Sequence, residues 1–385
     1  MANLRAMLDN ETLHPDDLSD ADAAAWRALC AATPAFSSPL LGPDFARLVG
    51  RVRPDARVTL WRRAGTLVAA FAYHRRSGGL GRAIGAPLSD YHALVTAPDA
   101  GLSVDQALED ARLSAWRFNG LIDPFDAFAD ARAASQDAYV IRLDGDAEAY
   151  LEALRAASPK RFKNYRRLDH KLDREVGPIT VVAVDPSRAA YEQLLSWKRD
   201  QLHRTGAHNF FHGGWTQVLF DRCFDQGEGP LQGLAINLYA GDRLVAGHFG
   251  VRLGDAYHPW IASADPELAA WSPGQVFLGR AIAAMPELGL KTYDLGPGHA
   301  HYKAPYARDT ISIGEGLATA DSAAGRAAQA SDAIWAAAGA RRSGVVGRLR
   351  RRLDHIASVE LTLRGRALGF ADALAAQTRK REAAE

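Results

Sequence analysis

Apolar and polar positions along this chain fall into short alternating runs, separated by stretches with helical spacing. The second half shows the pattern most clearly. Pro178-ITVVAV-Asp185 is a brief β-branched run between turn formers, which predicts a strand. From Ser187 to His203, the apolar positions Ala190, Leu194, Leu195, Trp197 and Leu202 line one face of a helix. A second helix is expected from Trp215 to Phe224. Three β-like runs follow, LQGLAINLYA, DRLVAGHFGVRL and AYHPWIASA, joined through Ala240-Gly241-Asp242 and Gly254-Asp255, which is hairpin chemistry. Ser272-Pro273-Gly274 opens a helix to about Pro286. The strand KTYDLG and a final strand, ISIGEGLA, close the order β-α-α-β-β-β-α-β-break-β.

The first half echoes that order. Helices are expected at about 20–32 and 43–52, then hairpin strands in RVTLWRR and TLVAAFAYHRR. A strand near Tyr91–Thr96, a helix near Val104–Trp116, and the runs RFNGLIDP and DAYVIRL complete the set. The echo reads as an internal duplication of one α/β unit. The expected domains are an N-terminal unit at 1–145, a C-terminal unit at 146–320 and a basic helical tail at 321–385.

Composition narrows the function. With 385 residues, 48% hydrophobic and 24% charged, the chain is an ordinary globular one of about two domains. A net charge of +1 argues against DNA as a partner. Cys30 and Cys223 stand apart, outside any CxxC, so neither a disulfide framework nor a zinc site is expected. The N-terminus lacks the apolar core of a signal peptide, and no apolar run approaches the roughly 20 residues of a membrane span. A cytoplasmic location is expected, with contact at the inner face of the membrane left open.

Candidate chemistry gathers in the second half. Ser272-Pro273-Gly274-Gln275 puts small residues and a proline at a helix start, where free N–H groups and the helix dipole attract an anion; an ordinary serine N-cap fits the same letters. The run YDLGPGHAHYK carries Asp294 at a strand end, where it either faces a binding crevice as a base or caps the glycine turn. Tyr302 and Lys303 supply an acid and a cation, or else solvated loop tips. His248 lies in an apolar strand, as a packed histidine or a second base. His299 and His301 lack a third metal ligand, so no metal is expected. Residues 157–177, with Lys160 and Lys163 among many cations, form either a solvated helix face or a rim that draws in an anionic substrate or cofactor phosphate.

These residues meet a family resemblance. FSSPLLGPDFARLV, PLSDYHALV, SPKRFKNYRRLDHKLDREVG, ADPELAAWSPGQVFLGRAI and YDLGPGHAHYK, spread over residues 35–318, resemble the GNAT-fold acyltransferases. In particular they resemble the CelD/BcsL-like group linked to bacterial cellulose and exopolysaccharide production. That group is similar to the FemAB transferases, which carry two GNAT-like units in tandem. The resemblance implies an α/β (α+β) fold of tandem units, each a mixed, mostly antiparallel sheet flanked by helices.

It further implies acyl transfer from acetyl-CoA or another acyl-CoA, or alternatively FemAB-like aminoacyl transfer from tRNA to a peptidoglycan precursor. On the CoA reading, Ser272, Pro273, Gly274, Gln275 and Gly279 hold the pyrophosphate, although SPGQVFLGRA replaces the familiar Q/R-x-x-G-x-G/A loop. The pantetheine arm is expected along AYHPWIASAD. Asp294 is the expected base or orienter with His248 behind it, Tyr302 the acid, and Lys303 the charge stabiliser. Asp90 and Tyr91, with Lys160 and Lys163, are expected to meet the acceptor, an amino sugar of a surface polysaccharide or its precursor. A non-catalytic scaffold regulated by an anionic ligand is the reading from another class.

The tail adds one more candidate. Eight arginines against two acids between Arg341 and Arg366, among them Arg348, Arg351 and Arg352, suit phosphate. An anionic membrane surface, a lipid-linked sugar diphosphate and cyclic di-GMP are the expected partners, beside a plain solvated or dimer-forming helix.

Overall fold

A computed structural model describes residues 8–205, 207–340 and 344–371. The chain opens with β1 (Asp9–Leu13), α1 (Asp20–Ala32), α2 (Pro43–Gly50), β2 (Ala56–Arg63), β3 (Thr66–Arg75), β4 (Leu80–Ala83) and β5 (Leu94–Thr96). Next come α3 (Val104–Asp110), β6 (Ala115–Leu121), β7 (Arg132–Arg142), α4 (Ala147–Ala157), α5 (Pro159–Glu175), β8 (Ile179–Val182), α6 (Arg188–Thr205) and α7 (Trp215–Asp225). The hairpins β9 (Leu231–Ala240), β10 (Arg243–Leu253) and β11 (Ala256–Ala264) lead to α8 (Pro273–Ala284), β12 (Thr292–Pro297) and the single turn α9 (Ala300–Lys303). Then follow β13 (Asp309–Thr319), α10 (Ala323–Ala337) and α11 (Val345–Val359).

Two compact units divide these elements. Among the described residues, the first comprises 8–136, 207–221, 312–340 and 344–371; the second comprises 137–205 and 222–311. In the first, the strand order is β1-β2-β3-β4-β6-β13, with β5 added on β3. Its core gathers Trp61, Phe71, Tyr73, Trp116, Phe118 and Phe128. Here α10 and α11 belong with the first unit, and Arg341 and Arg342 lie outside the described residues.

In the second unit the order is β7-β12-β11-β10-β9-β8. Gly241 and Gly254, at φ +59° and +58°, make the two tight turns of the β9-β10-β11 meander, a backbone region open to glycine at little steric cost. Within this unit, β11 and β12 run parallel while the other pairs run antiparallel, and α8 is the crossover between them. Two helices cover the two faces of the meander. Phe277 of α8 packs on His248, ring centroids 4.5 Å apart, and Tyr191 of α6 packs on Phe249 at 4.9 Å. Neighbouring residues of a strand point to opposite faces, so α8 and α6 sit on opposite sides. Burying a side chain such as Phe277 contributes about 1.5–3 kcal/mol.

The observed order β8-α6-α7-β9-β10-β11-α8-β12-α9-β13 matches the one the hydrophobic pattern predicts, except that the single turn α9 stands where a break is expected. The partners of two strands differ from the order of the sequence. DAYVIRL, read with the first half, pairs as β7 with β12, and ISIGEGLA pairs as β13 with β6. The helix expected to reach Trp116 stops at Asp110, because Arg112 turns left-handed at φ +52° and Trp116 is needed in the core strand β6. The short strands β1 and β4 and the helix α4 have no counterpart in the sequence reading. No helix among the described residues is long and apolar enough to cross a membrane.

Candidate active site

The second unit contains a split in its sheet. Although β11 and β12 run side by side, they pair only at Ala256↔Thr292 and Tyr257↔Tyr293. Beyond Tyr257, β11 bulges: Phe249 faces Ile261 while Gly250 faces Pro259, which leaves Trp260 as the extra residue. A second irregularity lies in β12 between Asp294 and Gly296, where the partner is β7. The strands therefore part at their carboxyl ends, the usual place for a ligand crevice in such a sheet.

Register decides which side chains meet there. Tyr257 and Tyr293 are register partners on the α8 side, with rings 4.9 Å apart. Their successors, His258 and Asp294, turn to the other side and approach each other, with 3.7 Å between His258 Nδ1 and Asp294 Oδ1. His248 belongs to the α8 side, where its Nδ1 shares a 2.6 Å hydrogen bond with the Tyr293 hydroxyl. Asp294 and His248 thus face opposite sides of the sheet, and the histidine beside Asp294 is His258. Burial, followed by the charges of Lys303 and Lys198, pushes His248 down to about 3, so it is neutral near pH 7.

Asp294 is 5% exposed, and its Oδ1 accepts the Gly296 N–H at 2.8 Å. The carboxylate therefore caps the glycine break and at the same time stands at the split, beside His258. Lys303 reaches back over the same break, donating to the carbonyl oxygens of Pro297 at 2.7 Å and Gly296 at 3.3 Å. Tyr302 donates to Gly274 O at 3.2 Å, and Tyr306 donates to Gln275 O at 2.5 Å. Two phenols thus pin the first turn of α8 to the segment after β12. Burial raises the pKa of both, so they keep their protons.

At the α8 start, Ser272 is left-handed at φ +48° and its side chain makes no capping bond. Its carbonyl instead accepts from Gln275 and Val276. Pro273 has no N–H, so Gly274 offers the open donor of a 12-residue helix. Gly279 lies one turn on, where a Cβ would meet the Tyr306 ring at 3.8 Å.

The basic helix α5 reaches this turn. Lys171 Nζ stands 4.9 Å over the ring of Trp271, the residue before Ser272, and Arg280 of α8 grips Asp169 through two nitrogens. Lys160 and Lys163 are exposed and line an open groove of about 920 Å³ with Arg167, Lys171 and Arg174.

The sequence reading missed two residues here. One is His258, hidden in an apolar strand. The other is Lys198, half-buried on α6, whose amine donates to Gln201 at 3.1 Å. Burial and the Lys303 charge lower Lys198 to about 8.

Asp90, Tyr91 and the α11 arginines lie in the first unit. Tyr91 is 0% exposed and Asp90 is half-buried. Arg348 and Arg351 are exposed on α11, with Arg352 half-buried beside them. His299 and His301 have rings 6.3 Å apart, and no cluster of metal-ligating residues occurs among the described residues.

Residues 159–304 match the family model described as an acetyltransferase (GNAT) domain. The match spans α5 to α9 and so takes in the split, the α8 start and the glycine break. Among solved structures, the chain is similar to FemX, with a TM-score of 0.52 at 11% identity, covering 80% of this chain and 96% of that one. A tandem GNAT protein from the clavulanic acid biosynthesis pathway gives 0.48 at 13% identity, covering 82% of this chain and all of that one, 100%. The C-terminal domain of a putative lysylphosphatidylglycerol synthetase from Agrobacterium fabrum gives 0.46 at 14%, covering 82% and 95%. No curated protein matches the sequence. The chain is an acyltransferase with a GNAT acetyltransferase domain at 159–304, on a fold similar to that of FemX.

Proposed function

We propose that this acyltransferase moves an acetyl group from coenzyme A to the amine of an amino sugar, carried by a bacterial cell-surface polysaccharide or its lipid-linked precursor. The observation that carries the donor reading is the split between β11 and β12, to which the α8 start adds the Gly274 N–H. The edge of β11 past Tyr257 has no strand partner on the β12 side among the described residues, so its backbone is available to an extended amide-bearing arm. The α8 start and the cations of α5 suit the phosphates of the donor. The acceptor class rests on the resemblance of YDLGPGHAHYK and ADPELAAWSPGQVFLGRAI to the CelD/BcsL-like group. In that setting the reaction belongs to the cytoplasmic face, and Arg348, Arg351 and Arg352 of α11 suit an anionic membrane surface or cyclic di-GMP.

A bound thioester supplies an already activated acyl group, so the chain has to orient and deprotonate an amine beside it. Asp294, held by Gly296 N–H and set beside His258, is the proposed base or orienter. Lys303 and Lys198 add positive charge for the sulfur that departs or for an acceptor phosphate. Tyr302, with its proton engaged by Gly274 O, shapes the α8 turn and is the nearest candidate acid.

Aminoacyl-tRNA is a second donor reading, favoured by one feature. The cations from Lys160 to Arg174 extend about 21 Å along α5 at 1.5 Å per residue, longer than a pyrophosphate needs. Isothermal titration with acetyl-CoA, with free CoA as control, separates the two. Micromolar binding followed by acetyl transfer to a glucosamine acceptor supports the proposal. A folded protein that ignores acetyl-CoA with and without acceptor, yet binds charged tRNA, supports the second reading. A protein that binds neither donor sinks both.

A further inference from the structure

We propose that the first unit carries a separate binding site, a pocket for a small anion with an apolar body, formed by β4, β6, β13, α10 and α11. A cavity of about 430 Å³ opens there, within the range of roughly 300–1,000 Å³ usual for small-ligand pockets. Arg82 of β4, Arg117 of β6 and Arg350 of α11 all line it. Two carboxylates serve the three guanidinium groups. Asp354 lies 3.0 Å from Arg82, 3.1 Å from Arg350 and 3.9 Å from Arg117; Asp332 lies 2.7 Å from Arg117 and 4.0 Å from Arg350. Among the described residues, these three arginines exceed these two acids by one positive charge.

The cations are preorganised and partly out of water. Their side chains are only 21%, 20% and 19% exposed, and the Arg350 guanidinium sits 5.2 Å over the Trp335 ring. Burial lowers the pKa of Arg82 and Arg350, and the neighbouring Arg117 pushes both the same way. An added anion relieves that repulsion, and a planar fork of N–H donors accepts a carboxylate or a phosphate bidentately.

The opposite wall is apolar. Ala327 and Ala328 of α10 are too small to fill the space, and Leu80 stands 45% exposed at the rim. A guest with a charged head for the arginines and a short hydrocarbon body for the alanines and Leu80 satisfies both walls. Carboxylates and phosphate monoesters share that chemistry.

The test is titration of the full chain with octanoate and with octyl phosphate, with octanol and inorganic phosphate as controls. Saturable one-to-one binding of at least one anionic amphiphile is expected, and the preferred one names the head group. Arg350→Gln and Ala328→Leu should each weaken it tenfold or more, whereas Arg155→Ala in the second unit should leave it unchanged. If Arg350→Gln fails to fold, Ala328→Leu decides, because it fills the cavity from a partly exposed helix position and keeps every charge. A folded protein that binds neither amphiphile overturns the proposal, as does binding that survives Ala328→Leu. Octanol binding as tightly as octanoate removes the anion site, and inorganic phosphate binding as tightly as octyl phosphate reduces it to an adventitious ion only.

Discussion

Asp294 performs two tasks with one carboxylate, since Oδ1 takes the Gly296 N–H while the group faces His258 at the strand split. Asp294→Asn keeps an acceptor oxygen for Gly296 but cannot take a proton. Turnover should fall about 10²–10⁴-fold, the usual worth of a general base, while acetyl-CoA affinity and melting temperature stay near those of the parent. Undiminished turnover in the purified variant removes Asp294 from the chemistry. Lys198 gives a pH test. Its amine, lowered to about 8, loses its charge as pH rises through that value. If that charge assists transfer, activity declines above pH 8, and Lys198→Arg moves the decline upward; an unshifted limb rules the charge out. These residues differed in how plainly the sequence marked them. Asp294 stands before Gly296-Pro297-Gly298, a break that no strand needs, so its letters mark it as a candidate. His258 reads as one more residue of an apolar strand, and only the Tyr257↔Tyr293 register brings it to Asp294. Lys198 lies on a helix whose polar face reads as solvated, so its desolvation is visible only once α6 is packed.

At the scale of elements, the split depends on how β10 lets β11 bulge. Gly250 faces Pro259 at that irregularity, and a Cβ there would lie 2.1 Å from His258 O and 2.5 Å from Pro259 Cα. The obstacle is backbone, so the strand itself must shift. Gly250→Ala should cost about 2–3 kcal/mol or more by overpacking and weaken acetyl-CoA binding with it. Gly254→Ala is the contrast, with open space around it but φ +58°. It should cost about 1 kcal/mol through strain and leave the donor affinity alone. Chemical denaturation and titration of both variants check this, and equal stability losses with equal affinities would show that the bulge does not set the crevice. Hydrophobic periodicity made the meander, α6 and α8 readable, because each has a long and regular apolar face. It failed where tertiary demand outweighs local preference. Arg112 ends α3 early so that Trp116 can enter the core, and β7 finds its partner β12 far along the chain, a pairing that no local pattern encodes.

For the whole molecule, buried neutral histidines set the response to acid. In the first unit, His74 is 1% exposed and its Nε2 accepts the Gly85 N–H at 2.9 Å; His92 is 2% exposed and its Nε2 accepts the Asn119 N–H at 3.2 Å. A proton on either nitrogen would displace a backbone donor inside the core. Burial therefore pushes both to about 4, and His248 in the second unit to about 3. The unfolded chain takes up these protons near pH 6.5, whereas the folded chain refuses them until pH 4 or below. Between those values the unfolded state binds more protons, so stability must fall as pH falls, by about 1.4 kcal/mol per pH unit for each histidine. Asp55, whose pKa is depressed by His74 and Arg53 against the cost of its own burial, acts in a lower window, since its contribution is lost only once pH drops below the unfolded carboxylate value of about 3.9. Melting temperature should hold near neutrality and drop steeply from pH 6.5 to 4. His92→Gln offers an acceptor oxygen that cannot be protonated, so its first-unit transition should lose about one proton from the slope. A flat profile from pH 7 to 4.5, or an unchanged slope in His92→Gln, would show that these imidazoles are protonated without cost. Loss of acyl transfer below pH 6 should then track the loss of folded protein through histidine proton uptake, and circular dichroism at the assay pH checks that the two fall together.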